Sequence, residues 1–493
     1  MIQTPVSPTL DGLFRRVLSR QPGAMALLDP ADKMRVTGQP PRRLTFAQAD
    51  RIIGALAAHM TVMGLPSNSV VAIQLANTSE FILTVLAAHR AGLVVALLPQ
   101  LWRQAELTVA LNRTGARAII TTKMIDGINH ADLAMNAAAE AFAIRYVGGF
   151  GSDLPDGMVS LDEVIADGGI VEPTAAQDAR RAAIVTFDVG EDGMRAVPRT
   201  HLQMIAGGLS LFLESALPQG AGIMAAVAPS SFAGLTSTLV TWLLTGGTLA
   251  LHHPFDADAL EQQLADNQSA VLILPAPLAF KLAEDGLSSR LPDLRHVIAL
   301  WRAPEQIASS EAWTDPQTAL TDIYLFGEAG LFSAQRGGNG LPAPIMPGPH
   351  GAPRRVTSSS VAGDVFVTDR GTLALRGPMM TPEAYVPLLP VGQSVLDYVD
   401  TGYAARIDRN GAIIITAPPA GIVSVGGYRF LSNDLNEWAR RLGQGALLTA
   451  LPDRLNGHRL AGRAQSNARA REALTELGLN PLMVDAFRDR SAS

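Results

Sequence analysis

The sequence contains no cysteine among its 493 residues. This excludes disulfides, thiolate metal sites and a cysteine nucleophile. The absence is typical of a reducing compartment, so we expect a cytoplasmic protein. Lysine is also scarce, and the chain contains three: Lys33, Lys123 and Lys281. After Lys281 the basic side chains are all arginine or histidine. A lysine-dependent site in the C-terminal part is therefore excluded.

Long apolar runs are missing as well. No stretch reaches the roughly 20 uninterrupted apolar residues that cross a bilayer, so we expect no membrane span. The first residues, MIQTPVSPTLDG, lack the apolar core of a signal peptide. A formal net charge of −6 argues against a nucleic-acid partner, because such proteins usually carry a basic patch.

What the chain does have is enough length and apolar content, 47% of residues, for two or more folded domains. Thr45 and Gln48 form a capping-box pattern ahead of apolar residues at helical spacing. Apolar strand patterns then alternate with helical ones, beginning with SVVAIQL, LVVALL and AIITT. This alternation predicts an α/β fold, with mostly parallel sheets flanked by helices.

The pattern changes towards the C-terminus. From about Gly363 the apolar stretches shorten, which predicts a small β-barrel-like subdomain at about 345–417. Pro418 to Gly421 is a candidate hinge. We therefore expect a large domain over 1–417 and a short α+β domain over 418–493, with helices near 435–442 and 468–477.

The segment RRLTFAQADRIIGALAAHMTVMGLP resembles the opening of the adenylate-forming superfamily of AMP-dependent synthetases and ligases, which includes acyl- and aryl-CoA synthetases. The similarity continues through GLTSTLVTWLLTGGTLALHHPFD and DTGYAARIDRNGAIIITA to VSVGGYRF. The resemblance implies a large α/β domain hinged to a small mobile one. It also implies a carboxylic acid or acyl ligand, ATP and Mg²⁺ as cofactors, and coenzyme A as an acyl acceptor.

By this resemblance, the ATP phosphates would lie on a loop between Thr186 and Arg195. Thr186, Gly190 and Gly193 would bind phosphate, and Arg195 would replace the family's catalytic lysine. Both glycines allow the tight backbone turn that such a loop requires.

The same loop is acidic. It has carboxylates where the family has hydroxyl donors, and an ionised carboxylate only accepts hydrogen bonds. Each would oppose a phosphate by about 4 kcal/mol at about 4 Å and an effective dielectric near 20. Two interpretations remain open, a solvated acidic turn and a remodelled loop that holds a cation. The carboxylates concerned are Asp188, Glu191 and Asp192.

A second motif of the family matches Tyr324 to Ala329. Here the resemblance places Tyr324 beside the adenine and makes Glu328 both a catalytic residue and the ligand of Mg²⁺. Gly327 stands where the family has a threonine that contacts the α-phosphate. The alternative for Glu328 is a helix cap or a salt-bridge partner.

A third motif matches Asp400 to Tyr403. Thr401 and Arg406 would belong to the nucleotide site. Tyr403 stands where the family has an aspartate that accepts hydrogen bonds from both ribose hydroxyls, which a single phenol does not reproduce.

The substrate pocket would be lined by Phe232, Trp301 and Ala303. Family members have small residues at the position of Trp301, so an indole there either fills the acyl pocket or packs in the core. The family's adenylation lysine lies in a Pro-x-x-x-x-Gly-Lys segment, and no such segment follows Leu477. We therefore expect that lysine to be missing.

Three hypotheses follow. The first is a divergent acyl-CoA synthetase that activates a carboxylate with ATP, with weak or lost activity. The second is a non-catalytic relative that binds an acyl group, a nucleotide or a protein partner. The third is an enzyme completed in trans by a homo-oligomer or partner. Because fold alone does not fix function, the motif departures favour reduced or absent ligation.

Overall fold

The computed structural model describes residues 8–169, 178–190, 192–350, 363–387 and 396–488. Two large sheets with helices packed on them form the body of the chain. Neighbouring strands in the centres of both sheets are parallel, as in the pairs of Val70–Ile73 with Val94–Leu97 and of Val271–Pro275 with His296–Trp301. The predicted α/β class is confirmed.

Within the described residues, the first sheet has eight strands, and antiparallel pairs form both of its edges. Its strands, in spatial order, are Leu331–Gln335, Ala319–Leu325, His296–Trp301, Val271–Pro275, Ile223–Ala225, Leu249–Leu251, Met25–Leu28 and Arg43–Thr45.

The second sheet has seven described strands. They are, in spatial order, Gly193–Thr200, Ala182–Gly190, Val94–Leu97, Val70–Ile73, Ala118–Thr122, Tyr146–Phe150 and Val159–Ser160. A two-stranded ribbon, Met124–Ile125 with Ile128–Asn129, lies beside it. The carboxyl ends of the central parallel strands lie at one edge of each sheet, which is where α/β folds place their sites.

The helices alternate with the strands. The capping box predicted at Thr45 is present: the Thr45 hydroxyl accepts from the Gln48 amide, and the Gln48 side chain accepts from the Thr45 amide. The α-helices of the described large domain are Leu10–Arg20, Lys33–Thr37, Phe46–Val62, Ser79–Arg90, Gln104–Thr114, His130–Ala139, Leu161–Asp167, His201–Glu214, Phe232–Leu235, Thr241–Thr245, Ala257–Asp266, Ala276–Glu284 and Leu287–Arg290. A π-helical turn covers Thr236–Val240 and a 3₁₀ turn covers Pro304–Ser309.

The C-terminal part has two smaller sheets. One is antiparallel and contains Gly348–His350, Gly363–Val367, Thr372–Arg376, Val399–Ile407 and Ile413–Ala417. The other contains Tyr428–Leu431, Ile422–Val425, Gly457–Arg463 and Leu447–Asp453, packed with helices Ser432–Arg441, Asn467–Glu476 and Pro481–Asp485. Pro418 to Gly421 joins the two sheets, with Gly421 at a φ of 73°. We use "C-terminal domain" as a name for the described residues 418–488 and "large domain" for those before them.

The core of the large domain explains one of the rare lysines. Lys33 is fully buried and its ammonium lies 2.7 Å from Asp29 and 2.6 Å from Glu80. Burial of a lysine requires such paired carboxylates, since an isolated charge would lose its hydration. Lys33 is thus a structural residue. Among the described helices, none combines the length and apolar character needed to cross a bilayer.

Candidate functional site

The segment expected to form a phosphate loop is a β-hairpin. Strand Ala182–Gly190 continues to the turn and pairs residue by residue with Gly193–Thr200, so that Thr186 lies opposite Val197 and Gly190 opposite Gly193. The segment expected to be a phosphate loop is thus two paired strands. The strand that precedes it is apolar and buried at Ala183–Val185, and helix His201–Glu214 begins after the second arm, with Thr200 as its N-cap. Glu191 lies outside the described residues.

Asp188 does not face solvent. Its two carboxylate oxygens accept from Arg429 Nη1 at 2.7 and 2.8 Å, and one also accepts from the Glu328 amide at 2.8 Å. Arg429 belongs to the GGYRF segment of the C-terminal domain. Both side chains are about one-eighth exposed. The cation held by this part of the hairpin is therefore the chain's own guanidinium.

Gly327 makes this ion pair sterically feasible. A Cβ added to Gly327 would collide with Arg429 Nη1 and would lie 2.6 Å from Asp188 Oδ2. The backbone of Gly327 is also left-handed, with a φ of 58°, which disfavours any residue with a Cβ. The threonine that the family carries here would not fit beside the Asp188–Arg429 pair. Two departures from the family pattern, Asp188 and Gly327, thus form one physical unit with Arg429.

Glu328 is buried and its carboxylate is fully engaged. Oε2 accepts from the Thr186 hydroxyl at 2.6 Å and from the Phe232 amide at 3.1 Å, and it lies 3.5 Å from Arg199 Nη1. Burial raises the pKa of Glu328, and the charge of Arg199 opposes that rise. The Arg199 guanidinium in turn stacks 3.8 Å from the centre of the Phe232 ring.

A cavity of about 410 Å³ lies between the large domain and the C-terminal domain. The hairpin and the segment that contains Gly327 form one wall, and the turn that contains Gly426 and Gly427 forms the other. Of the residues assigned from sequence, the cavity brings together Gly193, Gly327, Glu328 and Tyr403. Thr186 and Phe232 lie behind them, in contact with Glu328.

Tyr403, which the resemblance assigns to the ribose, lines the main cavity. It is 1% exposed, and its ring packs edge-on against Phe326 with 5.5 Å between ring centres. Burial raises the pKa of its phenol. The Thr401 hydroxyl donates to the Leu373 carbonyl at 2.8 Å, and Arg406 is exposed. Neither Thr401 nor Arg406 reaches the cavity wall.

Trp301 lies outside the main cavity. Its indole N–H donates to Asp322 Oδ1 at 2.7 Å, and Asp322 also forms a buried ion pair with Arg336 at 2.7 Å. The indole contributes to a second, more open cavity beside Phe280. Trp301 thus packs against Asp322 and Phe280 and does not line the main cavity.

The remaining assigned residues are also dispersed. Arg195 donates to the Pro382 carbonyl at 2.8 Å and so turns away from the cavity. Tyr324 is buried against the Phe332 ring. Gly190 lies at the end of its strand, and Ala303 packs against Gly457.

Sequence reasoning overlooked the residues that join the domains. Glu106 accepts from the Arg103 amide at 3.0 Å and from the Asn480 amide of the C-terminal domain at 3.1 Å. Burial raises its pKa to about 7. The Tyr428 hydroxyl accepts from the Leu101 amide at 3.1 Å. Glu106 lies in a local helix-capping pattern, which does not indicate a partner as distant as Asn480. Tyr428 belongs to the GGYRF motif, but the motif does not indicate its contact with Leu101.

Comparison with known proteins agrees with the fold. The model of the AMP-binding enzyme family matches residues 14–383, more than half of the chain. The chain belongs to this family.

Among curated relatives, a salicyl-AMP ligase / salicyl-S-ArCP synthetase of Mycobacterium tuberculosis is 26% identical over 194 residues. That match covers 39% of this chain and 33% of the relative, so the alignment spans a third of that protein. A 3-[(3aS,4S,7aS)-7a-methyl-1,5-dioxo-octahydro-1H-inden-4-yl]propanoyl:CoA ligase of the same organism is 25% identical, covering 88% of this chain and 86% of the relative. The solved structure of an anthranilate CoA ligase with anthranoyl-AMP has a TM-score of 0.69 at 16% identity, covering 96% and 91% of the two chains.

The side chains at this site do not fit a magnesium nucleotide. Glu328 Oε2 accepts from Thr186 and Phe232, and Oε1 shares the Phe232 amide at 3.3 Å. No group of three or more potential metal ligands occurs among the described residues. The Asp188 carboxylate and the Arg429 guanidinium occupy the space beside Gly327. A buried phenol, Tyr403, replaces the acceptor that ribose hydroxyls would need.

Proposed function

We propose that this chain is a non-ligating member of the AMP-binding family. It binds an apolar acyl or aryl carboxylate in the cavity between its domains, without coupling that binding to ATP. The observation that carries the proposal is the Asp188–Arg429 ion pair beside Gly327. This pair fills the position at which the resemblance implies an α-phosphate contact.

The electrostatics support the same conclusion. Arg429 neutralises Asp188 and occupies the space beside Gly327. A phosphate placed in that space would displace Arg429 and would then face the Asp188 carboxylate. Opening the pair to admit a phosphate would leave the Asp188 carboxylate uncompensated near a second negative charge. ATP binding would therefore oppose the contact that closes the two domains.

The carboxylate part of the proposal is supported by the cavity and by the relatives. The cavity volume of about 410 Å³ lies within the roughly 300–1,000 Å³ range of small-molecule sites. Its wall includes Trp102, Phe187 and Trp438, which suit an aromatic or aliphatic ligand body. The salicyl-AMP ligase and the propanoyl:CoA ligase are named for ring-containing carboxylic acids.

Calorimetric titration of the full chain tests the proposal. We expect heat of binding for at least one acid of an aryl and alkyl panel, and none for ATP with Mg²⁺. Thermal shifts give a second measure, because a ligand at 100 times its Kd stabilises the folded state by about 2.7 kcal/mol. A clear melting shift with Mg²⁺ and ATP would refute the non-ligating proposal.

ATP-dependent ligation is the second candidate, and one observation favours it. Thr186 and Glu328, which the resemblance assigns to the nucleotide and metal, remain within 2.6 Å of each other. In this candidate, Arg429 would leave with the C-terminal domain when nucleotide binds. Acid-dependent stabilisation by ATP would distinguish it from simple carboxylate binding.

A further inference from the structure

Arg302 differs from the other arginines near the site. It follows strand His296–Trp301, is half-buried and lines the main cavity. Its guanidinium lies against the glycine turn of the C-terminal domain, since a Cβ added to Gly427 would be 3.4 Å from Arg302 Cζ. Among the described residues it has no acidic or hydrogen-bonding partner.

The contrast with neighbouring arginines is consistent. Three other buried or half-buried arginines near the site each have a carboxylate of their own. The pairs are Arg199 with Glu328 at 3.5 Å, Arg336 with Asp322 at 2.7 Å, and Arg429 with Asp188 at 2.7 Å. Asp188 and Glu328 are thus already neutralised, and neither compensates Arg302.

An unpaired guanidinium at a cavity wall favours an anionic ligand. Burial lowers the pKa of Arg302, and the nearby Tyr428 phenol opposes that shift. A desolvated cation of this kind gains more from an incoming carboxylate than a solvated one does. The planar fork of arginine also matches the two oxygens of a carboxylate.

The rest of the cavity suits the apolar part of such a ligand. Trp102 and Phe187 pack edge-on with 5.1 Å between ring centres on the large-domain side. Trp438 and Met483 of the C-terminal domain line the same cavity. Methionine and aromatic side chains together accommodate flat or flexible apolar bodies.

We propose that Arg302 binds the carboxylate of an apolar monocarboxylic acid whose body lies between Trp102 and Trp438. This inference rests on the proposed function and names the residue that selects the ligand's charge. Because Arg302 belongs to the large domain and Trp438 to the C-terminal one, the bound acid contacts both domains.

The test is calorimetry of the full chain with benzoate and octanoate and with their neutral analogues, benzamide and octanamide. The variants are Arg302→Gln, Arg302→Lys and a matched control, Arg295→Gln, whose side chain is exposed at the start of the same strand. We expect Arg302→Gln to weaken the tighter-binding acid by about tenfold to a hundredfold. The amide of that acid should bind wild type and Arg302→Gln equally, and Arg295→Gln should match wild type.

Arg302→Lys keeps the charge and is expected to lose less than Arg302→Gln, so the comparison holds even if the glutamine variant folds poorly. Acid binding that is equal in wild type and both Arg302 variants would overturn the role of Arg302 and leave the proposed function standing. If no acid of the aryl and alkyl panel binds to the folded wild type, both are overturned. A melting shift with Mg²⁺ and ATP would refute the proposed function alone, because the acid-versus-amide comparison does not involve ATP.

Discussion

Arg429 of the C-terminal domain donates from one nitrogen to both carboxylate oxygens of Asp188 in the large domain, at 2.7 and 2.8 Å. The pair fits because position 327 carries no side chain. Judged from the sequence alone, Asp188 in the expected phosphate loop and Gly327 in place of threonine are two separate losses of function. Together with Arg429 they form a contact that fastens the two domains.

The first prediction concerns this contact. Asp188→Asn and Arg429→Gln are each expected to reduce the free energy of unfolding by about 1.5–3 kcal/mol. Each substitution removes a charge-assisted hydrogen bond and leaves the partner side chain without its counter-charge. The double variant should lose less than the sum of the two. Urea denaturation of the four proteins measures the coupling.

An exposed pair provides the control for that cycle. Arg290 and Glu261 lie 2.6 Å apart with side chains 47% and 30% exposed, so their coupling should stay below about 1 kcal/mol. If the Asp188–Arg429 coupling is no larger than this, the pair does not fasten the domains.

The second prediction concerns Gly327. Gly327→Ala should destabilise the protein by at least about 2 kcal/mol, because the new Cβ meets the Arg429 guanidinium and the backbone φ is 58°. Gly338→Ala is the matched control, since no atom lies within 4 Å of its added Cβ. Thermal unfolding compares the two variants. Equal melting temperatures would contradict the steric argument.

The third prediction separates Trp301 from ligand binding. Trp301→Phe removes the indole N–H that donates to Asp322, which should lower stability by about 1–3 kcal/mol. Affinity for the acid that binds in the main cavity should stay within twofold of wild type, because Trp301 lines a different cavity. Calorimetry of the folded variant checks this. A large gain or loss of affinity would place the indole in the substrate pocket after all.

The fourth prediction is a pH dependence centred on Glu106. Burial raises its pKa from 4.5 to about 7 in the folded protein. The folded state therefore favours the protonated form, so the stability contributed by this group is full below pH 4.5 and is lost as pH rises through 7. Glu106→Gln cannot titrate.

Melting of the two proteins between pH 5 and 8 tests this sign. The stability of wild type relative to Glu106→Gln should fall over this interval by on the order of 2 kcal/mol. A difference that stays constant, or that grows with pH, would show that Glu106 does not titrate as its burial implies.

Much of the fold could be predicted from the sequence, because alternating apolar patterns and the Thr45 capping box are local signals that the structure confirms. The hairpin could not, since motif matching implied a loop where Ala182–Gly190 pairs with Gly193–Thr200. The ion pairs could not be predicted from the sequence either. Asp188 and Arg429 are 241 residues apart, and only the three-dimensional structure brings them together. Arg302 could not be singled out either, because its lack of a carboxylate partner within the described part of the chain is visible only in the structure.

The most direct test of the account is carboxylate-dependent exchange of labelled pyrophosphate into ATP by the full chain with Mg²⁺. The assay would use the acid that binds most tightly in calorimetry, with the salicyl-AMP ligase and salicylate as the positive control. The account predicts no exchange above the protein-free background from folded protein saturated with that acid. Exchange that rises and saturates with acid concentration would contradict it.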